Sequence, residues 1–172
     1  MGEAPRSPYP PDLAEDATPV GDFGSLVDTV VEHADWANRR ELGLAARRVE
    51  VRSSRFTGAE LGEAILIDAT FVDCRLDLAG LRHARLERVV FRDCRLGECD
   101  LHGATLTDVL FERSELRQAT LTGARLERVE LRGCELTGLR GAEALRTARM
   151  PWNDVLANAP LFAAALGIEI ID

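Results

Sequence analysis

The sequence has no lysine, only three histidines and few aromatic residues, which make up 5 % of its 172 positions. All 21 basic residues are arginine, which we attribute to codon usage rather than to function. No apolar run approaches the ~20 residues that a transmembrane helix needs. The first residues also lack the basic start and apolar core of a signal peptide. We therefore expect a cytoplasmic protein that does not enter a membrane.

The formal net charge is −8, and the acid excess is uneven along the chain. Residues 51–140 hold fifteen acids and fourteen arginines, whereas residues 1–50 hold ten acids and five arginines. An acidic chain without a stripe of basic and aromatic side chains is not typical of proteins that bind nucleic acid. We expect no direct contact with nucleic acid.

What the sequence has in abundance is a five-residue period. From Val51 to Leu136, every fifth residue is Leu, Phe or Val, eighteen times without a miss. A smaller residue stands two positions before each of them. A helix of 3.6 residues per turn would spread this period around its circumference, and a flat strand needs a period of two. The pattern instead predicts a chain that turns a corner every five residues.

A second period of twenty residues joins four corners into a square coil. Phe71, Phe91 and Phe111 recur at this spacing, as do Cys74 and Cys94. Units of a small residue, a polar residue, Leu or Phe and two variable residues resemble the pentapeptide-repeat family. The resemblance implies an all-β solenoid, a right-handed quadrilateral β-helix. Eighteen units predict about 4.5 coils, which we expect to carry an N-terminal helical cap and a C-terminal helix.

The inward positions predict the core. It comprises Phe56, Phe71, Phe91, Phe111, Leu76, Leu96, Leu116, Cys74, Cys94 and Cys134. The three phenylalanines spaced by twenty should form a stacked ladder inside one face. Cys74 and Cys94 would lie one coil apart and could bridge, but a cytoplasmic location and the absence of metal-type spacing favour reduced thiols.

The remaining segments divide the chain into four parts. Residues 1–22 hold five of the seven prolines and predict a disordered tail. Residues 23–50 predict a helical cap, with a helix from Phe23 to Asn38, and an irregular lead-in. Residues 51–140 form the β-helix. Residues 141–172 form a C-terminal cap or dimerisation segment.

The outward positions form columns at a spacing of twenty. One column alternates in sign through Asp68, Arg88, Asp108 and Arg128, and neighbours in it should pair. A few outward positions are apolar and are our candidate partner-binding residues: Ile65, Ile67, Val72, Val90 and Leu110. Such a patch marks either an intermolecular contact or the surface over which the N-terminal helix folds.

The C-terminal segment predicts a helix that starts near Pro160, ends at Gly167 and leads into a short strand, Ile168 to Ile170. It resembles the tail of the quinolone-resistance members of the family, which form a tail-to-tail dimer. This resemblance makes the chain a candidate homodimer, although a monomeric cap is the alternative. The candidate dimer interface comprises Leu161, Phe162, Ala165, Leu166, Ile168 and Ile170.

Few residues point to chemistry. His33 is interpreted as a surface or cap residue, while His83, His102 and Asp100 lie on adjacent coils but match no known metal-site spacing. No glycine loop for phosphate and no paired-carboxylate site is present in the sequence. We therefore expect no enzyme activity, no catalytic residue, no metal and no cofactor.

The sequence thus favours a non-enzymatic protein-interaction module. The resemblance to quinolone-resistance proteins implies a DNA-mimic-like modulator of gyrase or another type II topoisomerase, because the rod has a girth similar to duplex DNA. The alternative is a structural scaffold that binds an unknown protein partner through the apolar face of the rod.

Overall fold

The chain turns a corner at every fifth residue from Asp28 to Gly138. At each of these positions the backbone is left-handed, with φ between 46° and 70°, and most of the residues there are not glycine. The computed structural model describes residues 3–9 and 25–171. A corner every five residues makes each coil a square of twenty residues, as the two sequence periods predict.

In the described part of the chain, six parallel strands, stacked in chain order, form one long sheet. The strands are β1 (Ser25–Glu32), β2 (Ala45–Arg52), β3 (Ile65–Val72), β4 (Arg85–Arg92), β5 (Thr105–Glu112) and β6 (Arg125–Arg132). Each residue pairs with the residue twenty positions later, for example Phe71 with Phe91. Each strand contains a corner, so the sheet covers two sides of the square.

Single β-bridges join the coils on the other two sides. Arg55 pairs with Arg75 on one side and Glu60 with Gly80 on the other, and both ladders continue at intervals of twenty. The result is the predicted right-handed quadrilateral β-helix, with about five turns. At ~4.8 Å per coil, the five intervals from β1 to β6 make a rod about 24 Å long.

Large apolar side chains fill the interior of the coil. Phe71 and Phe91 stack with ring centroids 5.1 Å apart, and Phe91 and Phe111 stack at 5.2 Å, so the predicted aromatic ladder is present. Phe56 joins the ladder edge-on to Phe71, and Trp36 packs edge-on against Phe56. All ten predicted core residues are buried.

The predicted helix from Phe23 to Asn38 is wrong over the residues that the structure describes. Residues 25–32 form β1, which pairs in register with β2, and Leu26, Val31 and Trp36 are buried in the core. The solenoid therefore begins one coil before Val51. The apolar residues of this stretch suit both an amphipathic helix and the five-residue period, and pairing with β2 decides for the strand because it extends the existing sheet.

The C-terminal end of the core is closed by a short 3-10 helix, Ala142–Thr147, whose Ala142 and Leu145 are buried. Arg149 then pairs with Glu130 at the edge of β6. Two helices follow, α1 (Trp152–Ala157) and α2 (Ala159–Ala165). Gly167 follows α2 with φ 71°, as predicted, but the predicted strand from Ile168 to Ile170 does not form.

Within the described part of the chain, no helix has both the length and the apolar character to span a membrane.

Candidate interaction surfaces

The column of alternating charges runs the length of the rod, at the corner that each strand contains. It extends the predicted series by two residues at its start, Asp28 and Arg48, and every member is left-handed. Each aspartate pairs with the arginine of the next coil. Arg88 donates to both carboxylate oxygens of Asp68, from Nε at 2.6 Å and from Nη2 at 3.1 Å. We call these six residues the Asp/Arg column.

The Asp108–Arg128 pair, two coils further along the rod, has the same geometry. Arg128 donates to Asp108 from Nε at 2.7 Å and from Nη2 at 3.0 Å, and Arg48 forks onto Asp28 in the same way. Both Asp68 and Asp108 are almost fully buried. Bidentate arginine pairs of this kind fix geometry as well as charge.

Pairing keeps these buried carboxylates ionised. At Asp108 the hydrogen bond from Arg128 lowers the pKa of the carboxyl below its ordinary value, against the opposing effect of burial. At Asp68 burial works to raise the pKa, but the hydrogen bonds from Arg88 and from the N–H of Tyr9 together lower it. The column therefore presents negative charge at neutral pH only in the form of paired aspartates.

An N-terminal stretch, residues 3–9, lies against this column. The N–H of Arg6 donates to Asp108 Oδ1 at 3.0 Å, and the N–H of Tyr9 donates to Asp68 Oδ1 at 3.1 Å. The Tyr9 ring lies 5.8 Å from the guanidinium carbon of Arg88. For residues 3–9 the structure thus departs from the predicted disordered tail, and residues 10–22 lie outside the described residues.

The candidate apolar patch is less exposed than its composition suggested. Ile65 is exposed, whereas Ile67, Val72, Val90 and Leu110 are half-buried. The Asp/Arg column runs between the column of Ile67 and the column of Val90 and Leu110, so residues 3–9 are anchored in the middle of the patch. Of the two alternatives, the covering helix is not found in the described residues, since residues 25–32 form β1 and residues 3–9 contact the Asp/Arg column instead.

The C-terminal segment is the most apolar exposed part of the described surface. Six of the eleven exposed large apolar side chains lie there: Trp152, Leu156, Leu166, Ile168, Ile170 and Ile171. Leu161 and Phe162 pack against the core and are half-buried, so α2 turns one side to the rod. Among the candidate interface residues, Ala165, Leu166, Ile168 and Ile170 are exposed. Leu166 alone is 76 % exposed.

A groove of about 350 Å³ separates α2 from the 3-10 helix. Leu145, Phe162 and Leu166 line its apolar part, and Glu143 and Arg146 form its rim. Leu166, which lines the groove, is followed in the chain by Gly167 and the exposed isoleucines. The groove is open to solvent.

The two histidines on adjacent coils contact each other. The His83 and His102 rings contact edge to face at 5.7 Å. Asp100 accepts hydrogen bonds from Arg82 and from the backbone N–H of His102, so its carboxylate is engaged elsewhere. Over the described ranges, no three His, Cys, Asp or Glu side chains are grouped to hold a metal ion.

All four cysteines are buried and carry free thiols. Cys74, Cys94 and Cys134 occupy one column with Ser54 and Ser114, and each thiol lies near the carbonyl oxygen two residues before it. Burial raises the pKa of the Cys99 thiol to about 12. Their burial makes all four cysteines part of the core.

Sequence reasoning missed two parts of this surface. Asp28 and Arg48 were hidden because residues 23–50 were interpreted as a helix and a lead-in, although the spacing of twenty, continued backwards from Asp68, reaches both. The docked segment does not stand out in the sequence, because a proline-rich composition is typical of disorder. Its signal was the spacing of Pro5 and Pro8, three residues apart.

Comparison with known proteins agrees with this architecture. Residues 46–121 match the family model described as a pentapeptide repeat region. Among curated proteins, none matches the sequence.

Several solved structures are similar to this chain to different degrees. A pentapeptide repeat protein from the Arabidopsis thaliana thylakoid lumen is 23 % identical, with a TM-score of 0.55 over 66 % of this chain and 78 % of its own. QnrB1, a plasmid-mediated fluoroquinolone resistance protein, is 12 % identical, with a TM-score of 0.49 over 81 % of this chain and all of its own. HetL, a pentapeptide repeat protein involved in heterocyst differentiation regulation in the cyanobacterium Nostoc, is 20 % identical, with a TM-score of 0.44 over 74 % of this chain and 66 % of its own.

Proposed function

Because the chain carries a pentapeptide repeat region within a β-solenoid, we propose that it is a non-enzymatic protein-interaction module that acts as a homodimer in the cytoplasm. The observation that carries the proposal is the cluster of exposed apolar side chains at the C-terminal end of the rod. Exposed apolar side chains concentrated in one segment of a folded protein mark an interaction site. The packed interior of the coil leaves the outer faces and the two ends for binding.

The dimer contact follows from the shape of the C-terminal segment. Ile168, Ile170 and Ile171 are exposed beyond α2, and the groove between α2 and the 3-10 helix is open and lined by apolar residues. In a two-fold dimer, the isoleucines of one protomer would enter the groove of its partner and leave their own groove for the partner's isoleucines. Such an exchange buries both surfaces at once.

Size-exclusion chromatography with light scattering tests the dimer. We expect the wild type to have twice the mass of the chain, and the double variant Leu166→Glu/Ile170→Glu to have the mass of one chain. Leu78→Glu is the matched control, because Leu78 is similarly exposed but lies at a corner of the rod. A monomeric wild type would refute the dimer, and dissociation by the Leu78 variant would place the contact on the rod instead.

The first partner to test is DNA gyrase, which the resemblance of residues 161–170 to quinolone-resistance proteins implies. The net charge of −8 suits a partner with a basic DNA-binding surface. Most of this acid excess lies outside the rod, since residues 51–140 hold fifteen acids and fourteen arginines. The rod also keeps an unbroken twenty-residue register from residue 25 to residue 132, so gyrase would have to bind its flat faces or its ends rather than a projecting loop.

The assay is DNA supercoiling by purified gyrase with increasing amounts of this protein, with and without a fluoroquinolone. We expect inhibition or drug protection, and we expect its loss when residues 159–172 are removed. No effect at tens of micromolar, with gyrase active, would refute the topoisomerase role and leave the dimer to be judged by its own measurement.

The alternative is a scaffold that binds its partner through the apolar face of the rod. Val27 and Ile65 are exposed there and line, with Ile67, a shallow groove of about 240 Å³ on the first coils. This alternative predicts that Ile65→Ser weakens partner binding while the C-terminal variants do not.

A further inference from the structure

The Asp/Arg column repeats every two coils, because its charges alternate. Asp68 and Asp108 have the same surroundings. Each carboxylate is buried and paired with one arginine, and its Oδ1 also accepts a hydrogen bond from one backbone N–H of the N-terminal segment. With ~4.8 Å between coils, the two acceptors lie about 9.6 Å apart along the rod.

The two donors, the N–H groups of Arg6 and Tyr9, are three residues apart. A polyproline II helix has three residues per turn and rises ~3.1 Å per residue, so one turn spans about 9.3 Å. Residues three apart in this helix point to the same side, whereas in a β-strand they point to opposite sides. A polyproline II segment therefore matches both the spacing of the acceptors and their common direction.

The burial of the segment has the same threefold period. Pro5 and Pro8 are half-buried, whereas the other described residues of the segment are exposed. Proline fixes φ near −65° and cannot donate a hydrogen bond, so it favours the polyproline II conformation. The sequence thus places a proline immediately before each donor residue.

One end of the segment carries an additional anchor. The Tyr9 ring lies 5.8 Å from the guanidinium carbon of Arg88, which is itself fixed by Asp68. An aromatic ring over an ordered guanidinium gains a cation–π attraction. Arg88 therefore has two roles, since it holds the acceptor carboxylate of Asp68 and contacts the aromatic side chain at the end of the segment.

We propose that the Asp/Arg column is a binding groove for polyproline II segments of the form Pro-x-x-Pro followed by an aromatic residue, and that residues 3–9 occupy it in cis. The tethered segment then acts as a built-in competitor. Any protein that binds here with a proline-rich segment must first displace residues 3–9, which the tether holds at a high local concentration.

Hydrogen exchange of the N-terminal amides, measured by NMR on the full chain, tests the docking. We expect the amides of Arg6 and Tyr9 to exchange about tenfold more slowly than an unfolded chain, while the amide of Ser7 is not slowed. The protection should not change with protein concentration, since the contact is within one chain. A dependence on concentration would instead assign the segment to a second copy.

The double variant Asp68→Gly/Asp108→Gly should abolish the protection. Glycine suits the left-handed backbone at both positions and removes the side chains that accept the N–H groups, together with their arginine pairs. The matched control is Asp93→Gly, because Asp93 also has positive φ and a bidentate arginine pair but lies in another column. Loss of protection in the control, or its persistence in the double variant, would overturn the proposal.

A peptide competition keeps the test valid if the double variant does not fold. The peptide Glu-Ala-Pro-Arg-Ser-Pro-Tyr, added to the wild type in large excess, should displace the tether and restore fast exchange at Arg6 and Tyr9. A peptide of the same composition with its two prolines adjacent should have no effect. Equal effects of the two peptides, or none from either, would refute a groove that reads the threefold spacing.

Discussion

Replacing Phe91 by alanine is the sharpest test of the aromatic ladder. Phe91 is fully buried, with Phe71 stacked on one side and Phe111 on the other. Because the coils above and below are fixed by the sheet, the core cannot close around the lost ring. We expect a loss of about 3–5 kcal/mol in the free energy of unfolding.

Phe91→Leu is the matched variant, because Leu131 continues the same column beside Phe111 and shows that leucine fits there. Leucine keeps most of the volume but loses two stacked contacts, which are worth about 0.5–1.5 kcal/mol each. We therefore expect a loss of ~1–3 kcal/mol for leucine. Urea unfolding followed by circular dichroism and by tryptophan fluorescence measures both losses. A loss below about 1.5 kcal/mol for alanine, well under the usual range, or equal losses for the two variants, would refute a rigid, stacked core.

Gly141→Ala should lower the thermal stability of the protein by more than Gly43→Ala does. Both glycines have positive φ, but only at Gly141 would an added Cβ clash, because it would lie 2.4 Å from the backbone nitrogen of Thr122. Thermal unfolding measures both losses. Equal losses would show that the chain shifts freely there. Stability should be constant from pH 7 to pH 5 and fall below about pH 4, because carboxyls such as Asp108 have lowered pKa values in the folded state and lose their arginine pairs on protonation. Urea unfolding midpoints measured across this pH range test the predicted fall in stability, and a rise in stability on acidification would contradict it. The buried thiols, Cys99 included, should react with a thiol reagent only after unfolding, whereas fast reaction of the native protein would contradict the packed core.

Much of the fold could be predicted from the sequence because each coil repeats the same two inward positions. The ladder from Phe71 to Phe111 follows from the period alone, since residues twenty apart must stack when four corners close a square. The first coil was missed because Glu41 and Ala46 interrupt the series of large apolar residues, and the valines of residues 25–32 also fit a helical period. The strand forms rather than the helix because residues 25–32 can pair with the free edge of β2.

The surface was less predictable than the core. The alternating charges of Asp68 and Arg88 are visible in the sequence, but their depth of burial is not, because it depends on the corner at which they lie. The docking of residues 3–9 depends on a match between the pitch of a polyproline II helix and the spacing of Asp68 and Asp108 along the rod. A pattern within residues 3–9 cannot reveal such a match until the column is built.

The alternation of the Asp/Arg column also restricts how such a rod can change its length. Loss of a single coil, for example residues 85–104, would place Asp68 next to Asp108, and like charges in adjacent rungs repel each other. Loss of two coils, residues 65–104, would instead place Arg48 next to Asp108 and keep opposite charges together. A duplication or deletion that keeps opposite charges adjacent must therefore add or remove forty residues, which is twice the geometric repeat of the solenoid.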